Sequence, residues 1–197
     1  MPKRVRAFVA IQIPEVVIDF LQQLQARIPL PEINIRWVAK KNIHLTLQFL
    51  GDIDSSTISA VAAQMDAAAK MVKPFSLAAR GVGAFPNVRR ARVLWIGLAG
   101  GLEPLKSLQA GLESGLESIG FKRESRDFSA HLTIGRIRGR VDAQRMAAAF
   151  KPVEDARSDF FRVDRLMLYK SVLKPNGPLH SQLHTSHLAE EKRIGDA

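Results

Sequence analysis

Two histidines in the sequence share an uncommon setting, because each begins a His-apolar-Thr-apolar tetrapeptide. HLTL occupies positions 44–47 and HLTI occupies 131–134, although the 197 residues include only five histidines and no cysteine. An imidazole can donate or accept a proton near neutral pH, and a hydroxyl can donate a hydrogen bond to an anionic oxygen. Two such pairs would supply the base, the acid and the phosphate-binding donors that phosphodiester cleavage requires.

The geometry of a β-strand predicts which side chains of each tetrapeptide act together. Successive side chains on a strand point to opposite faces. One face is therefore predicted to carry the polar side chains, namely His44, Thr46 and Gln48 in the first segment and His131 and Thr133 in the second. The other face would bury Leu45, Leu47, Phe49, Leu132 and Ile134. The alternative, that both histidines are packed in a strand core without a chemical role, is less favoured for a matched pair.

The flanking segments predict an α+β fold that brings the two strands together. Strands are predicted at 6–13, 34–38, 43–50, 75–82, 91–98, 129–137 and 162–173, with a final strand after a turn at 174–178. Helices are predicted from Pro14 to before Pro31 and over 54–72, 102–119 and 142–150. Tight connections between several strands favour antiparallel or mixed pairing.

Composition and charge narrow the class of protein. A hydrophobic content of 46% with 24% charged residues is typical of a globular chain. No apolar run is long enough for a membrane span, and the absence of cysteine excludes disulfide and thiolate chemistry, so we expect a cytoplasmic protein. The net charge of +10 favours a polyanionic partner such as RNA. A basic protein without a nucleic-acid partner is the alternative.

Several segments together resemble the two-histidine (HxTx) phosphoesterase superfamily, in particular the RNA 2′,3′-cyclic phosphodiesterases, also called 2′-5′ RNA ligases. The first half carries RAFVAIQIP and WVAKKNIHLTLQFLGD, and the second half carries VLWIGL, FSAHLTIGRIR and LMLYKSVLKPNGP. The resemblance extends over nearly the whole chain. The spaced combination of segments is more specific than either tetrapeptide alone.

The resemblance implies a fold, a reaction and roles for four residues. The fold is a single bilobal unit over 1–197, with two pseudo-symmetric lobes, each a mainly antiparallel sheet flanked by helices, and an active-site cleft between them. The reaction is hydrolysis of a terminal 2′,3′-cyclic phosphate to a 2′-phosphate, with no metal or cofactor. His44 and His131 would be the acid–base pair, and Thr46 and Thr133 would bind the phosphate. We assign His44 as the acid and His131 as the base, although sequence does not fix this direction.

The implied substrate is RNA with a 2′,3′-cyclic phosphate end, tRNA halves among the candidates, and we expect a monomer without membrane attachment. Two alternatives are open. The physiological reaction could be 2′-5′ ligation. The chain could also be a non-catalytic RNA-binding module, which the positive charge would serve equally well.

Other residues are candidates for substrate contacts. Arg136 could add positive charge at the phosphate or form a structural ion pair, and Gly135 could allow close backbone approach or mark a bulge. Trp37 and Phe85 are candidates for stacking on a terminal base, whereas Trp95 is assigned to packing or to the cleft wall. Five arginines could bind the RNA backbone or form a solvated basic face: Arg89, Arg90, Arg92, Arg123 and Arg126.

The C-terminal segment departs from the family pattern. Two positions after the GP of the expected hairpin the family tends to carry an aromatic residue, often Tyr, whereas this chain has His180. His184 and His187 follow at spacings that could bind zinc on a helix. The predicted strand does not provide that geometry, so no metal site is expected.

Overall fold

Most of the predicted strands and helices are present in the structure, a computed structural model that describes residues 3–30, 33–175 and 177–190. The strands are β1 (Arg4–Gln12), β2 (Asn34–Trp37), β3 (His44–Asp54), β4 (Phe75–Phe85), β5 (Val93–Gly100), β6 (His131–Arg138), β7 (Phe161–Val163), β8 (Arg165–Lys174) and β9 (Gly177–His187). The helices are α1 (Glu15–Arg27), α2 (Ile58–Lys70), α3 (Leu102–Ser118) and α4 (Ala143–Phe150). The predicted turn at 174–178 includes position 176, which lies outside the described residues.

The strands form one antiparallel sheet made of two halves. The order is β7-β4-β5-β6-β3-β1-β8-β9, and β2 adds to β6. The halves meet where β3 and β6 pair through Leu45 and Leu132 alone. This arrangement confirms the predicted α+β fold with two lobes and mainly antiparallel pairing.

The segment 162–173 was predicted as one strand, and this prediction is wrong. Asp164 separates β7, which pairs with β4, from β8, which pairs with β1 in the other half. Both pieces are apolar enough to be read as one strand, so no local signal marks the break. Two peptide steps from Val163 to Arg165 span at most about 7 Å. The sheet must therefore curl so that its β7 edge approaches β8.

The helices cover the apolar face of the sheet. The buried stripe of α3 consists of leucines at helical spacing, Leu105, Leu108, Leu112 and Leu116. Val61, Met65 and Ala68 of α2 are buried, and α2 packs against α3 and β9. Among the described residues, no helix is long and apolar enough to cross a membrane.

Candidate active site

The two tetrapeptides lie side by side at the centre of the sheet. Leu45 and Leu132, the second residue of each motif, are paired and fully buried. Antiparallel continuation of this register sets each motif histidine alongside the threonine of the other motif. The four polar side chains are all partly exposed: His44, Thr46, His131 and Thr133. The fold thus brings together residues that are far apart in sequence.

Each motif strand has a β-bulge at the fourth residue of its tetrapeptide. Leu47 is skipped in the pairing of β1 with β3, and Ile134 is skipped in the pairing of β5 with β6. The bulge interrupts the alternation of faces, so Gln48 is buried (3% exposed) and Phe49 is exposed (61%). The predicted placement of Gln48 with His44, and of Phe49 on the buried face, is therefore wrong. The matched bulges give the two halves the same local geometry.

His44 lies in an enclosed aromatic environment. Its ring stacks on Phe8, with centroids 4.7 Å apart, and the His180 ring is edge-on at 5.5 Å. Burial, and to a smaller extent the neighbouring His180, lower the pKa of His44 to about 4. A hydrogen bond with the Asn42 backbone raises the pKa but is the weakest of the three effects. In the free protein at neutral pH the imidazole of His44 is therefore uncharged.

His131 is held by the backbone two residues before it. Its Nδ1 lies 2.7 Å from the Ser129 carbonyl oxygen. Because a carbonyl oxygen can only accept, Nδ1 carries the hydrogen, and Nε2 is the nitrogen that can exchange a proton with a substrate. The Phe85 ring stands edge-on to His131, with centroids 4.9 Å apart. Phe85 thus contacts a motif histidine, and its stacking on a base stays a prediction.

Trp95 packs beside the second motif. It is paired across strands with Thr133 and lies 5.2 Å from Phe85 between ring centroids. A Cβ at Gly83 would overlap the Trp95 ring, so glycine there makes room for the indole. Packing, one of the two interpretations given for Trp95, is seen in the structure, and the cleft-wall interpretation stays a prediction.

Trp37 and Arg136 lie in a cavity of about 350 Å³ that is also lined by His44. Trp37 is paired with Gly135, where a Cβ would be 3.1 Å from the indole. Gly135 directly follows the skipped Ile134, so it lies at a bulge, which was one of the two alternatives predicted for it. Arg136 is exposed and has no ion pair within the part of the chain that the structure describes. The structural ion pair considered for Arg136 is therefore not seen.

A second cavity of about 590 Å³ is also lined by His44. His44, Phe8 and His180 line both cavities, and Tyr169 and Lys40 line only the larger one. His131 and the two motif threonines line neither of them. Trp37 and Arg136 therefore share a cavity with His44, whereas Phe85 contacts His131.

The three C-terminal histidines have separate environments. His180 borders His44, whereas His184 Nε2 lies 2.8 Å from Asp66 Oδ1 on α2, and His187 is exposed. Ser186 Oγ donates to the same carboxylate oxygen at 2.6 Å. No group of three metal-ligating side chains occurs in residues 3–30, 33–175 and 177–190.

The five arginines predicted to bind RNA have unlike environments. Arg92 donates to the Gly139 carbonyl and Arg123 pairs with Glu117. Arg89, Arg90 and Arg126 are exposed. RNA binding by this group stays a prediction.

Sequence reasoning did not single out four residues around the site, Arg6, Phe8, Arg36 and Phe49. Phe8 lies within a continuous apolar strand, where nothing distinguishes a residue facing the cleft from one facing the helices. Arg6, Arg36 and Phe49 are brought to the smaller cavity by strand pairing and by the bulge. Only the register of the strands could have identified them.

Comparison with known families gives a match over most of the chain. The model of the LigT-like phosphoesterases matches twice, at residues 11–95 and 96–180. The two matches are consecutive and of equal length, and each contains one tetrapeptide. They agree with the repeated bulge and with the two halves of the sheet.

Curated relatives align along nearly their full length. A protein of Methanothermobacter thermautotrophicus is 29% identical over 185 residues, covering 94% of this chain and 100% of the relative. One of Thermotoga maritima is 31% identical over 182 residues, covering 91% and 93%. Both are named RNA 2′,3′-cyclic phosphodiesterase.

Solved structures share the fold. A protein of Thermus thermophilus superposes with a TM-score of 0.78 at 26% identity, covering 94% of this chain and 100% of that protein. LigT of E. coli, solved with 3′-AMP, superposes with a TM-score of 0.75 at 22% identity, covering 95% and 100%. At that identity the second match shows the fold alone.

Proposed function

The chain belongs to the LigT-like phosphoesterase family, and on this premise we propose that it is a metal-independent RNA 2′,3′-cyclic phosphodiesterase. The observation that carries the proposal is the pairing of Leu45 with Leu132, which sets two His-x-Thr strands together at the centre of the sheet. The net charge of +10 supports an RNA substrate. The names of the full-length relatives support the same substrate class.

The proposed reaction hydrolyses one of the two phosphoester bonds of the cyclic phosphate. A water oxygen attacks phosphorus, and the bond from phosphorus to the 3′ oxygen breaks with its electron pair remaining on that oxygen. A base takes the proton released by the water, and an acid protonates the 3′ oxygen. The products are a 2′-phosphate and a 3′-hydroxyl, and solvent restores the two protonation states.

The environment of the two histidines supports a revised assignment of the base and the acid. Sequence analysis assigned His44 as the acid, but its pKa of about 4 in the free protein favours the neutral imidazole. A neutral imidazole suits the base that activates water. His131, with Nδ1–H bonded to the Ser129 carbonyl, would then donate its Nε2 proton to the 3′ oxygen. This assignment reverses the direction that was expected.

The other motif residues are proposed to bind the phosphate. The hydroxyls of Thr46 and Thr133 would donate hydrogen bonds to its non-bridging oxygens, where charge builds in the transition state. Arg136 would add a guanidinium without competition from a nearby carboxylate. Ligation in the 2′-5′ sense would use the same groups, with the 5′-hydroxyl of a second RNA in place of the attacking water and the 3′ oxygen again as the leaving group. Analysis of products under hydrolytic and joining conditions separates the two activities.

The test is turnover of a 2′,3′-cyclic mononucleotide and of an RNA with that terminus, with chelator present. We expect a 2′-phosphate product, and a fall in kcat of about 10²–10⁴ in His44→Ala and in His131→Ala. His187→Ala is the matched control, because that histidine is exposed and lies outside both cavities.

Turnover at the wild-type rate in either motif variant would overturn the mechanism. Binding of RNA that survives loss of both histidines, with no turnover of any cyclic phosphate, would favour the non-catalytic module. Activity that disappears with chelator and returns with a divalent metal would overturn the metal-independent reaction.

A further inference from the structure

The smaller cavity beside His44 carries more positive charge than a cyclic phosphate needs. Arg6 of β1, Arg36 of β2 and Arg136 of β6 all line its volume of about 350 Å³. Among the described residues that line it, none is Asp or Glu. None of the three guanidiniums has a hydrogen bond or ion pair within the described part of the chain. A terminal cyclic phosphate has a single negative charge, so the cavity is built for a larger anion.

The same cavity has two exposed aromatic rings. Phe49 is 61% exposed and Trp37 is 36% exposed, although burial is the usual state of such large apolar side chains. Phe49 is exposed because of the bulge at Leu47, so its position follows from the strand pairing. Arginines next to exposed aromatic rings are the usual means of binding a single nucleic-acid strand.

We propose that this cavity is a subsite for the nucleotide that precedes the cyclic end of the RNA. Arg6 and Arg36 bind the phosphodiester that joins the last two nucleotides, and Phe49 stacks on the penultimate base. Arg136 binds the scissile phosphate, as in the proposed function. This inference rests on the proposed function and names an oligonucleotide, rather than a free cyclic nucleotide, as the preferred substrate.

The placement of these residues is consistent with two neighbouring phosphates. Arg136 pairs with Arg36 across β6 and β2, so two guanidiniums come from directly opposed positions. Two like charges on directly opposed residues repel each other and destabilise the strand pair when no anion is bound. An anion shared between them, or two adjacent anions, relieves that repulsion. Arg6 lines the same cavity from β1.

The test compares a 2′,3′-cyclic mononucleotide without a 5′-phosphate with the dinucleotide that adds one residue on its 5′ side. We expect kcat/KM to be at least about tenfold higher for the dinucleotide, the effect of one charge-assisted phosphate contact. The logarithm of kcat/KM should also fall more steeply with the logarithm of salt concentration, by about 0.7 for the added phosphate.

Variants of the cavity residues test whether the preference for the dinucleotide comes from the proposed subsite. Arg6→Ala and Arg36→Ala should each lower the dinucleotide-to-mononucleotide ratio of kcat/KM by about tenfold. Phe49→Ser should lower it for every penultimate base, because stacking is tolerant of sequence. Lys73→Ala is the control, since this exposed residue lines neither cavity, and the ratio should stay at the wild-type value.

Binding of the products distinguishes failure of the subsite from failure of the proposed function. The dissociation constants of a nucleoside 2′-phosphate and of the dinucleotide 2′-phosphate are measured by calorimetry with the same variants. Tighter dinucleotide binding that Arg36→Ala removes supports the subsite, even if the enzyme turns over neither substrate. Equal affinities and equal kcat/KM values overturn the subsite, even if the cyclic mononucleotide is hydrolysed.

Discussion

The imidazole of His180 stands edge-on to that of His44, with ring centroids 5.5 Å apart and ring planes at 88°. The two histidines come from β9 and β3, which are separated in the sheet by β8 and β1. Phe8 of β1 contacts both rings and bridges that gap. His180 is therefore part of the environment that determines the protonation of His44.

Replacing His180 should shift the pH dependence of turnover. His180→Asn removes a like charge and part of the burial, and both changes raise the pKa of His44 from about 4. If His44 is the base, it must be neutral, so the acidic limb of kcat/KM against pH should move to higher pH. Kinetics on a cyclic mononucleotide between about pH 3.5 and 8 measure this limb on both sides of the ordinary histidine pKa. His187→Asn, on the exposed part of the same strand, is the control.

Two results would contradict this account. An acidic limb that stays in place in His180→Asn would mean that His180 does not influence His44. A wild-type profile that falls on the alkaline side of the His44 pKa of about 4, with little activity at neutral pH, would make His44 the acid. The second result would restore the assignment expected from sequence.

The sequence could predict the site to the extent that local spacing determines it. The His-x-Thr repeat predicts which side chains share a face up to the bulge, and amphipathic spacing predicts α3 closely. The bulge at Leu47 depends on the pairing of β3 with β1, and no local sequence pattern indicates this pairing. The position of Phe49 could therefore not be predicted. The break at Asp164 and the contact between His180 and His44 likewise depend on strand order, which is a property of the whole fold.

Gly83 should be required for the geometry of the second motif. An alanine Cβ at this position would overlap the Trp95 ring, which is paired with Thr133 and contacts Phe85 beside His131. We expect Gly83→Ala to lower stability by about 1–3 kcal/mol, the usual cost of overpacking, and to lower kcat as well. Urea unfolding and single-substrate kinetics measure the two effects.

The control for this substitution is Gly111→Ala, in the middle of α3. A Cβ there would be 3.8 Å from Ala68, which is ordinary contact. Alanine should stabilise the helix by up to about 1 kcal/mol and leave turnover unchanged. Equal stability and turnover of Gly83→Ala and the wild type would show that Trp95 can move without cost.

Asp66 should stabilise the docking of α2 on β9. Burial opposes its charge, but hydrogen bonds from Ser186 and His184 outweigh burial and lower the pKa of Asp66. A carboxylate with a lowered pKa stabilises the fold above its ordinary pKa, and this contribution is lost as the pH falls through the folded-state value. We expect Asp66→Asn to reduce the free energy of unfolding at neutral pH by about 1 kcal/mol and to leave kcat unchanged.

Denaturant unfolding of Asp66→Asn is compared with that of Asp155→Asn, which changes an exposed carboxylate without an ion pair in the described residues. The Asp155 variant should unfold like the wild type. Identical unfolding of the two variants would mean that the hydrogen bonds to Asp66 contribute no net stability. A large fall in kcat would mean that β9 positions His180 through this link.

The neutral state of His44 should also appear in the stability of the protein. Its pKa is about 4 in the folded chain, against an ordinary value of 6.5, so the unfolded chain binds more protons between these values. The contribution of neutral His44 to the free energy of unfolding is fully present above the ordinary pKa of about 6.5. It decreases as the pH falls toward the folded-state pKa. The loss should amount to about 2 kcal/mol between about pH 7 and pH 4.5. Urea unfolding at both pH values should show a smaller loss in His44→Asn than in the wild type or in His187→Asn. An equal loss in all three proteins would mean that His44 is not held in its neutral form by the fold.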